Sequence, residues 1–255
     1  MGRSRQVRVH LVPQFVDPGQ LAQATAVVID VLRATTTIVY ALAGGCRQVL
    51  PVAEVEEARR LADSLPAGKA LLGGERGGLP VPGFDVGNSP AEYTPARCRD
   101  MTLVLTTTNG TRAIERAAAA ERLLIAAFVN FSAVCEQLRR DPRPLHIVCA
   151  GSDGEVTLDD TLLAGALVDF LCEETDCELN DAARLAWDCF ENHGQVLPAA
   201  LELSKGGTQL AAIGLASDIK LAAEIDRFAI VPELKRDPPR LEVGAVGIVK
   251  RHWHK

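Results

Sequence analysis

Residues 26–37 read Ala-Val-Val-Ile-Asp-Val-Leu-Arg-Ala-Thr-Thr-Thr, and the rest of the chain is interpreted from this stretch. A short apolar run ending at Ile29 is typical of a strand covered on both faces, and Ala34–Leu42 then has the pattern of a helix. Ligands in open α/β sheets bind beyond the carboxyl ends of the strands. Asp30 and Arg33 therefore stand where a functional site would be built.

A second stretch, residues 103–111, has the same form and reads Leu-Val-Leu-Thr-Thr-Thr-Asn-Gly-Thr. Its strand runs into a threonine-rich turn, and a helix is predicted over Arg112–Ala120. Amides and hydroxyls at a helix N-terminus favour a phosphate or sulfonate, and Asn109-Gly110 tolerates the left-handed backbone of an anion nest. Threonines after strands are also ordinary caps and turn formers, so both interpretations stay open.

Strands and helices continue to alternate along the chain. Further strands are predicted at residues 7–12, 48–52, 69–72, 123–126 and 145–149, and helices at 54–65, 132–140 and 158–172. This alternation predicts an α/β fold in which helices are layered on both faces of a mostly parallel or mixed sheet, an α/β/α arrangement. Because no linker-like segment interrupts the pattern, residues 1–255 are expected to form a single domain.

The composition excludes several classes of function. The chain carries a formal net charge of −6, with 47% apolar and 24% charged residues. This is typical of a soluble enzyme, and the acidic balance argues against broad attraction to nucleic acid or anionic membranes. No run approaches a membrane span, and no signal-peptide pattern is present. The seven cysteines, none of them spaced as CxxC, fit a reducing cytoplasm.

The longest irregular stretch is expected at residues 73–90, which are rich in glycine and proline. Loops of this length inside a compact domain are usually functional or disordered, and the many turn residues favour function. The stretch is not a Walker loop, since it lacks the GK[ST] ending. Asn88 is explained equally well as a helix cap. The polar groups that the stretch offers to a ligand are Glu75, Arg76, Asp85 and Asn88.

Four acids gather after the strand predicted at 145–149 and at the start of the next helix: Asp153, Glu155, Asp159 and Asp160. Like charges this close repel each other unless a cation or a positive ligand is present, so a hard divalent ion is the economical explanation. Alternatively, Thr157 and Asp160 form a capping-box-like pair, and acids favour a helix start in any case.

The C-terminal third is predicted to be mostly helical. Residues 204–207, Ser-Lys-Gly-Gly, are expected to be a helix C-cap rather than another anion-binding turn. Asp218 and Asp226 are predicted on one helix over residues 215–227, roughly on one face. Closing strands are expected at Phe228–Val231 and Leu241–Val249.

Three separated motifs, at residues 30–37, 73–90 and 106–111, closely resemble the 2-phosphosulfolactate phosphatase family (ComB). Segments after Asp160 and from Ser204 to Pro232 also look similar, so the resemblance covers nearly the whole chain. It implies an α/β fold and a Mg²⁺-dependent phosphatase that converts 2-phospho-3-sulfolactate to 3-sulfolactate and phosphate in the coenzyme M route. One departure is that a histidine is expected before the second glycine of residues 204–207.

Such a substrate would carry about four negative charges, of which the phosphate alone contributes roughly 1.5 to 2. An acidic protein can hold it only with local positive charge, since a unit pair 4 Å apart is worth about 4 kcal/mol at an effective dielectric of 20. Mg²⁺ would supply part of that positive charge, and its predicted ligands are Asp30, Glu155 and Asp160. The phosphate is assigned to Arg33 with Thr107, Thr108, Asn109, Gly110 and Thr111.

The remaining predicted roles concern the other end of the substrate and the attacking water. Arg76 with Asn88 would bind the second anionic group, because the arginine fork donates two parallel hydrogen bonds to sulfonate or carboxylate. A carboxylate, Glu75 or Asp85, would position or deprotonate water. Asp30 as a covalent nucleophile is the alternative to direct attack by water.

Three other functions are kept as alternatives. A haloacid-dehalogenase-type phosphatase also places an aspartate at a strand end, but it needs Asp-x-Asp, and Leu32 occupies the second position. A broader phosphatase of 2-hydroxy-acid phosphates would meet nearly the same anions, and a catalytically silent anion-binding protein could use the same scaffold. The expected partner is a small anionic phosphorylated molecule rather than nucleic acid or membrane, and a homodimer stays open.

Overall fold

The structure is a computed structural model that describes residues 4–244. Eleven strands are joined in one sheet. In chain order they are β1 Arg5–His10, β2 Thr25–Ile29, β3 Gln48–Pro51, β4 Ala70–Arg76, β5 Leu79–Pro80, β6 Thr102–Thr106, β7 Arg122–Ala126, β8 Leu145–Cys149, β9 Cys177–Leu179, β10 Pro232–Lys235 and β11 Arg240–Val243.

Ten α-helices accompany the sheet within the same residues. They are α1 Ala34–Ala43, α2 Val55–Ser64, α3 Pro95–Cys98, α4 Gly110–Ala117, α5 Phe131–Arg140, α6 Leu158–Glu174, α7 Asp181–His193, α8 Leu197–Leu203, α9 Lys205–Ala212 and α10 Ala216–Ala222. None of the helices between residues 4 and 244 is long and apolar enough to cross a membrane.

The strand order is β5-β4-β6-β3-β11-β10-β7-β2-β8-β1-β9. Strands β4, β6 and β3 form one parallel block, and β7, β2, β8, β1 and β9 form a second. The antiparallel hairpin β10–β11 joins the two blocks by pairing with β7 on one side and β3 on the other. The sheet is therefore mixed, with mostly parallel pairing.

Helices cover both faces of the central strands, which explains why β2 is apolar and fully buried. On one face, Val27 of β2 and Ile147 of β8 pack with residues of α5, α6 and α7. On the other face, α1 and α4 share a core with strands of both parallel blocks, where Val28 of β2 and Leu103 of β6 are members of one cluster. The predicted layered α/β/α fold is confirmed.

The structure corrects the prediction of an irregular stretch from residue 73 onward. Strand β4 continues to Arg76, because Gly73 and Gly74 pair with Leu105 and Thr106 of β6. The chain then turns back as β5, so the first part of the stretch is a hairpin. Only the segment from Val81 to Ser89 runs without a regular strand or helix.

The C-terminal predictions were wrong in two places. Residues 228–231 are not a strand: Phe228 donates its N–H to the Val129 carbonyl and packs edge-on against Tyr40, and the closing hairpin begins at Pro232. Helix α10 ends at Ala222, and Asp226 has a φ of 57°, so Asp218 and Asp226 do not share a helix.

The turn at residues 204–207 has two roles. Ser204 ends α8 as predicted, and its hydroxyl also accepts the N–H of Gly207 and so caps the start of α9. The last predicted strand is present as β11, and its second half lies outside the described residues.

Candidate active site

A cleft of about 310 Å³ lies where four strands and four helices meet. Its lining comes from the ends of β2, β4, β6 and β8, from the first turn of α6, and from α9 along its length. Its lining contains five carboxylates and, among the described residues, one cationic side chain, that of Arg33. The acidic members are Asp30, Glu75, Asp153, Asp159 and Asp160.

Asp30 follows directly after β2 and is buried. Its Oδ1 accepts the N–H of Ala34 at 3.1 Å, and its Oδ2 makes no hydrogen bond within residues 4–244. Burial raises the pKa of this carboxyl to about 7, and the negative charges of Asp159 and Glu75 act in the same direction. The site thus concentrates negative charge that only a cation or protons can offset.

Asp159 and Asp160 occupy the first turn of α6, and both are buried. The two oxygens of Asp160 accept the N–H groups of Val31 and Gly151 at 2.8 and 2.9 Å, which ties the ends of β2 and β8 together. Asp159 Oδ1 is buried without a hydrogen-bond partner. Burial raises the pKa of Asp159 to about 6, and burial together with Asp159 and Asp30 raises the pKa of Asp160 well above its usual value.

Glu75 connects the β4–β5 hairpin to the threonine-rich turn after β6. Its Oε1 accepts the N–H of Thr108 at 2.7 Å, and its Oε2 accepts the N–H of Gly78 and the Thr108 hydroxyl. Three donors therefore fix this carboxylate at the edge of the cleft, where it closes one wall.

Arg33 is the buried cation of the cleft. Its Nη1 donates to Asp218 at 2.8 Å and its Nη2 to the Gly78 carbonyl at 2.7 Å. Asn88 lies in the same lining, and its side-chain Oδ1 is buried without a hydrogen-bond partner within residues 4–244. A guanidinium with spare N–H groups is suited to bind an anionic group, and a side-chain amide can join it through its Nδ2–H groups.

Four helices of eight residues or more begin at this cleft. Lining residues precede or open α1, α4, α6 and α9, at Arg33, Asn109, Asp159 and Gly206 respectively. The positive ends of the α1, α4 and α6 dipoles therefore lie near the same space, which favours a bound anion despite the carboxylates. Helix α9 lines the cleft as far as its last residue, Ala212. The arrangement suits a ligand that is anionic on one side and bridged to the carboxylates by a cation.

Several predicted site residues come together as expected. Asp30, Arg33, Glu75, Asn88, Thr108, Asn109 and Asp160 all line the cleft. Gly110 lies directly behind it: a Cβ added there would be 2.6 Å from Asp30 Oδ2. Thr107 and Thr111 are buried and hydrogen-bond each other, so their hydroxyls are used within the turn rather than in the cleft.

Three predicted residues lie elsewhere. Arg76 donates to the carbonyls of Glu75 and Ala53 and to the Thr106 hydroxyl, and Asp85 is exposed and accepts the N–H of Leu72. Glu155 is exposed and paired with Lys205 at 2.7 Å. None of these three side chains belongs to the lining of the cleft, so its geometry does not support the roles assigned to them.

Asp159, Ser89 and Asp218 were not among the site residues assigned from the sequence. Asp159 was recognised as part of the acidic cluster, but its burial depends on α9 packing against the start of α6, which no local pattern reveals. Asp218 is fully buried about 185 positions from Arg33, its partner. The local signal was weak, because α10 also carries the polar residues Ser217 and Lys220.

Mg²⁺ fits part of this donor set. Among residues 4–244, no three His, Cys, Asp or Glu side chains form a ready-made metal cluster. Mg²⁺, however, keeps several waters and commonly uses only one or two carboxylates together with substrate phosphate oxygens. Asp30 Oδ2 and the orphaned Asp159 Oδ1 are oxygen donors of that kind.

Fold and cleft together define the class: an α/β enzyme whose acidic site lies at strand ends and helix N-termini. Residues 10–237 match the model of a family described as 2-phosphosulpholactate phosphatase. The chain belongs to this family of phosphoric monoester hydrolases.

Relatives extend over nearly the same length. A protein from Symbiobacterium thermophilum is 42% identical over 214 residues, which is 84% of this chain and 92% of the relative. One from Caldanaerobacter subterraneus subsp. tengcongensis is 37% identical over 86% of this chain and 91% of its own length, and one from Deinococcus radiodurans is 40% identical over 90% and 93%. Each is described as a probable 2-phosphosulfolactate phosphatase.

Proposed function

We propose that this chain is a Mg²⁺-dependent phosphatase that hydrolyses 2-phospho-3-sulfolactate to 3-sulfolactate and phosphate. The observation that supports it best is the composition of the cleft. Five carboxylates and one guanidinium surround a space near the N-termini of α1, α4 and α6. A substrate with several anionic groups and a cation between it and the acids would balance these charges.

The phosphate is assigned to the acidic end of the cleft. Asp30 Oδ2 and Asp159 Oδ1 would hold Mg²⁺, which when bound supplies positive charge for the phosphoryl group and the leaving oxygen. Thr108 and Asn109, at the start of α4, line the same end. Asp160 acts by holding Val31 and Gly151 in place rather than as a free ligand.

The second anionic end is assigned to Arg33 and Asn88 instead of Arg76. Arg33 lines the cleft and keeps free N–H groups, whereas the guanidinium of Arg76 is occupied by three hydrogen bonds in the wall. Asn88 lines the same space and can present its Nδ2–H groups to the same anion, because a side-chain amide carries two N–H donors.

Glu75 is assigned the role of positioning or deprotonating the attacking water. Of the two carboxylates predicted for this role, it alone lines the cleft. Its three hydrogen-bond donors hold it as a fixed carboxylate, and one acceptor position of the usual four remains for a water. In this version the water attacks phosphorus directly, and Asp30 forms no phosphoryl intermediate.

A phosphate-release assay tests the proposal. Wild-type protein is incubated with 2-phosphosulfolactate, 2-phospholactate or phosphoglycolate, with and without Mg²⁺. We expect Mg²⁺-dependent release that is fastest with the sulfonated substrate, and a loss of more than about 100-fold for Asp30→Asn. The matched control is Asp85→Asn, whose carboxylate lies outside the cleft and which should stay within about threefold of wild type.

Two results would contradict parts of the proposal. Absence of phosphate release from all three substrates with Mg²⁺ would favour an anion-binding protein without catalysis. Trapping a phosphoryl group on Asp30 by rapid quenching would refute direct attack by water.

A further inference from the structure

The ion pair between Arg33 and Asp218 is the most deeply buried one in the part of the chain that the structure describes. The Arg33 side chain is 3% exposed and that of Asp218 is 0% exposed, with 2.8 Å between Nη1 and Oδ2. Asp218 lies on α10, in the helical C-terminal part, and does not itself line the cleft. The pair thus connects a residue at the cleft to one behind it.

Stability alone is a weak reason for such a pair. Removing two charges from water costs several kcal/mol per ion, and buried pairs can often be replaced by apolar residues without loss of stability. The geometry indicates another purpose, because the second oxygen of Asp218 accepts the Ser89 hydroxyl at 2.6 Å. With both oxygens engaged, the carboxylate is fixed, and so is the direction in which it holds the guanidinium.

The contacts of Arg33 leave a defined set of donors. A guanidinium has five N–H groups. One is used by Asp218 and one by the Gly78 carbonyl, so three have no partner within residues 4–244. The neighbouring residue of Ser89 is Asn88, which lines the cleft with a side-chain amide and whose backbone carbonyl accepts the Thr37 hydroxyl. Arginine and amide donors are therefore held by one connected set of contacts.

We propose that Asp218 and Ser89 are positioning residues that aim Arg33 and Asn88 at the sulfonate of the substrate, and so determine specificity for a sulfonated phosphoester. The inference rests on the proposed function and deepens it. A sulfonate offers three acceptor oxygens, one more than a carboxylate. One edge of the Arg33 guanidinium can present two parallel N–H groups to it, and the Asn88 amide can supply a third donor. The donor count matches the larger anion.

The test compares steady-state kinetics on two substrates that differ in the sulfonate, 2-phosphosulfolactate and 2-phospholactate, with Mg²⁺. For Asp218→Ala we expect KM for the sulfonated substrate to rise about 10- to 100-fold, as for loss of charge-assisted hydrogen bonds, with kcat changed less than about threefold. For the unsulfonated substrate, KM should change less than about threefold. A general structural defect would change both substrates alike.

Conservative variants separate positioning from charge. The amide that Asp218→Asn introduces can still accept from Arg33, and its N–H groups can donate to Ser89, so most of the sulfonate preference should be recovered. Ser89→Ala should raise KM for the sulfonated substrate by a smaller factor, about three- to tenfold, and carries the test if Asp218→Ala does not fold. The matched control is Asp226→Asn, since Asp226 likewise accepts from a serine, Ser132, but lies outside the cleft.

Each outcome decides the matter. If wild type releases phosphate and the variants change both substrates equally or neither, the inference fails and the proposed function stands. If wild type releases none, the proposed function fails, and calorimetric binding of 3-sulfolactate and lactate decides the inference. Preferential binding of 3-sulfolactate that Asp218→Ala abolishes would support it, and equal binding of the two would overturn it.

Discussion

Arg76 has a side chain suited to bind an anion, but its guanidinium lies in the wall and not in the lining of the cleft. A guanidinium on a glycine-rich segment is well suited to an anion, and the sequence favoured that role. In the structure it bonds the carbonyls of Glu75 and Ala53 at 2.7 Å each and the Thr106 hydroxyl at 2.9 Å. It therefore holds the end of β4 against β6 and the segment after β3, while Arg33 faces the cleft.

Replacing Arg76 by alanine should consequently affect stability more than substrate choice. Loss of these hydrogen bonds should lower the free energy of unfolding by about 1–3 kcal/mol, measured by urea denaturation. The preference for the sulfonated over the unsulfonated substrate, expressed as a ratio of kcat/KM values, should remain within about twofold of wild type. Arg60→Ala, an exposed arginine on α2, is the control and should leave both quantities nearly unchanged. A selective loss of the sulfonated substrate would contradict this assignment.

The two threonine triplets lie at strand-to-helix turns, as predicted. Most of their hydroxyls, however, bond to the protein itself. The hydroxyls of Thr35 and Thr36 donate to the carbonyls of Asp30 and Val31 and shape the turn, whereas that of Thr37 donates to the Asn88 carbonyl. In the second, only Thr108 reaches the cleft. Strand ends and helix starts could be predicted from local apolar patterns and caps, whereas the direction of each hydroxyl depends on neighbours far along the chain.

The close contact between α1 and α4 is an element-scale feature that glycine makes possible. A Cβ added at Gly110 would contact the Cβ of Ala34 and lie 2.6 Å from Asp30 Oδ2. Gly110→Ala should therefore push α4 away from Asp30, lower the free energy of unfolding by about 1–3 kcal/mol and reduce phosphate release. The gain in helix propensity, up to about 1 kcal/mol, opposes this only in part.

The control for this variant is Gly19→Ala, where the nearest heavy atom would be the flexible Asp17 carboxylate at 3.3 Å. Thermal unfolding and the phosphate-release assay should show little change for it. If Gly110→Ala were as stable and as active as Gly19→Ala, the proposed role of this close approach would be wrong.

For the whole molecule, the parallel strands could be predicted from the sequence, but the order in which they pair in the sheet could not. Buried apolar strands such as β2 and β8 indicate a sheet covered on both faces. Nothing local shows that the late hairpin β10–β11 inserts between β3 and β7 and joins two parallel blocks. The same long-range pairing brings the ends of β2, β4, β6 and β8 to one cleft, which the local motifs could not show.

A buried histidine pair away from the cleft links global stability to pH. His10 and His146 lie on β1 and β8, with 3.0 Å between His10 Nε2 and His146 Nδ1. The carbonyl of Phe15 can only accept, so His10 Nδ1 carries a proton, and His10 Nε2 then accepts from His146. Burial, with His10 and Arg8 nearby, lowers the pKa of His146 to about 4, and burial lowers the pKa of His10 as well.

Since the unfolded histidine titrates near 6.5, the unfolded chain binds more protons between pH 6.5 and 4, and this pair reduces stability as the pH falls through that window. The buried Asp30 acts with the opposite sign, because its raised pKa makes stability fall as the pH rises from about 3.8 to about 7. The net curve is the sum of both, so wild type alone would not separate them.

His146→Asn isolates the histidine contribution, because an asparagine amide can still donate towards His10 but does not titrate. We expect the wild type to lose about 1 kcal/mol more than this variant between pH 7.5 and pH 5, after allowance for solvent screening, in parallel urea denaturation series with EDTA present. His193→Asn, which replaces an exposed histidine at the end of α7, should follow the wild-type curve. Parallel curves for wild type and His146→Asn would show that the pair stays protonated alike in both states, and the linkage would be refuted.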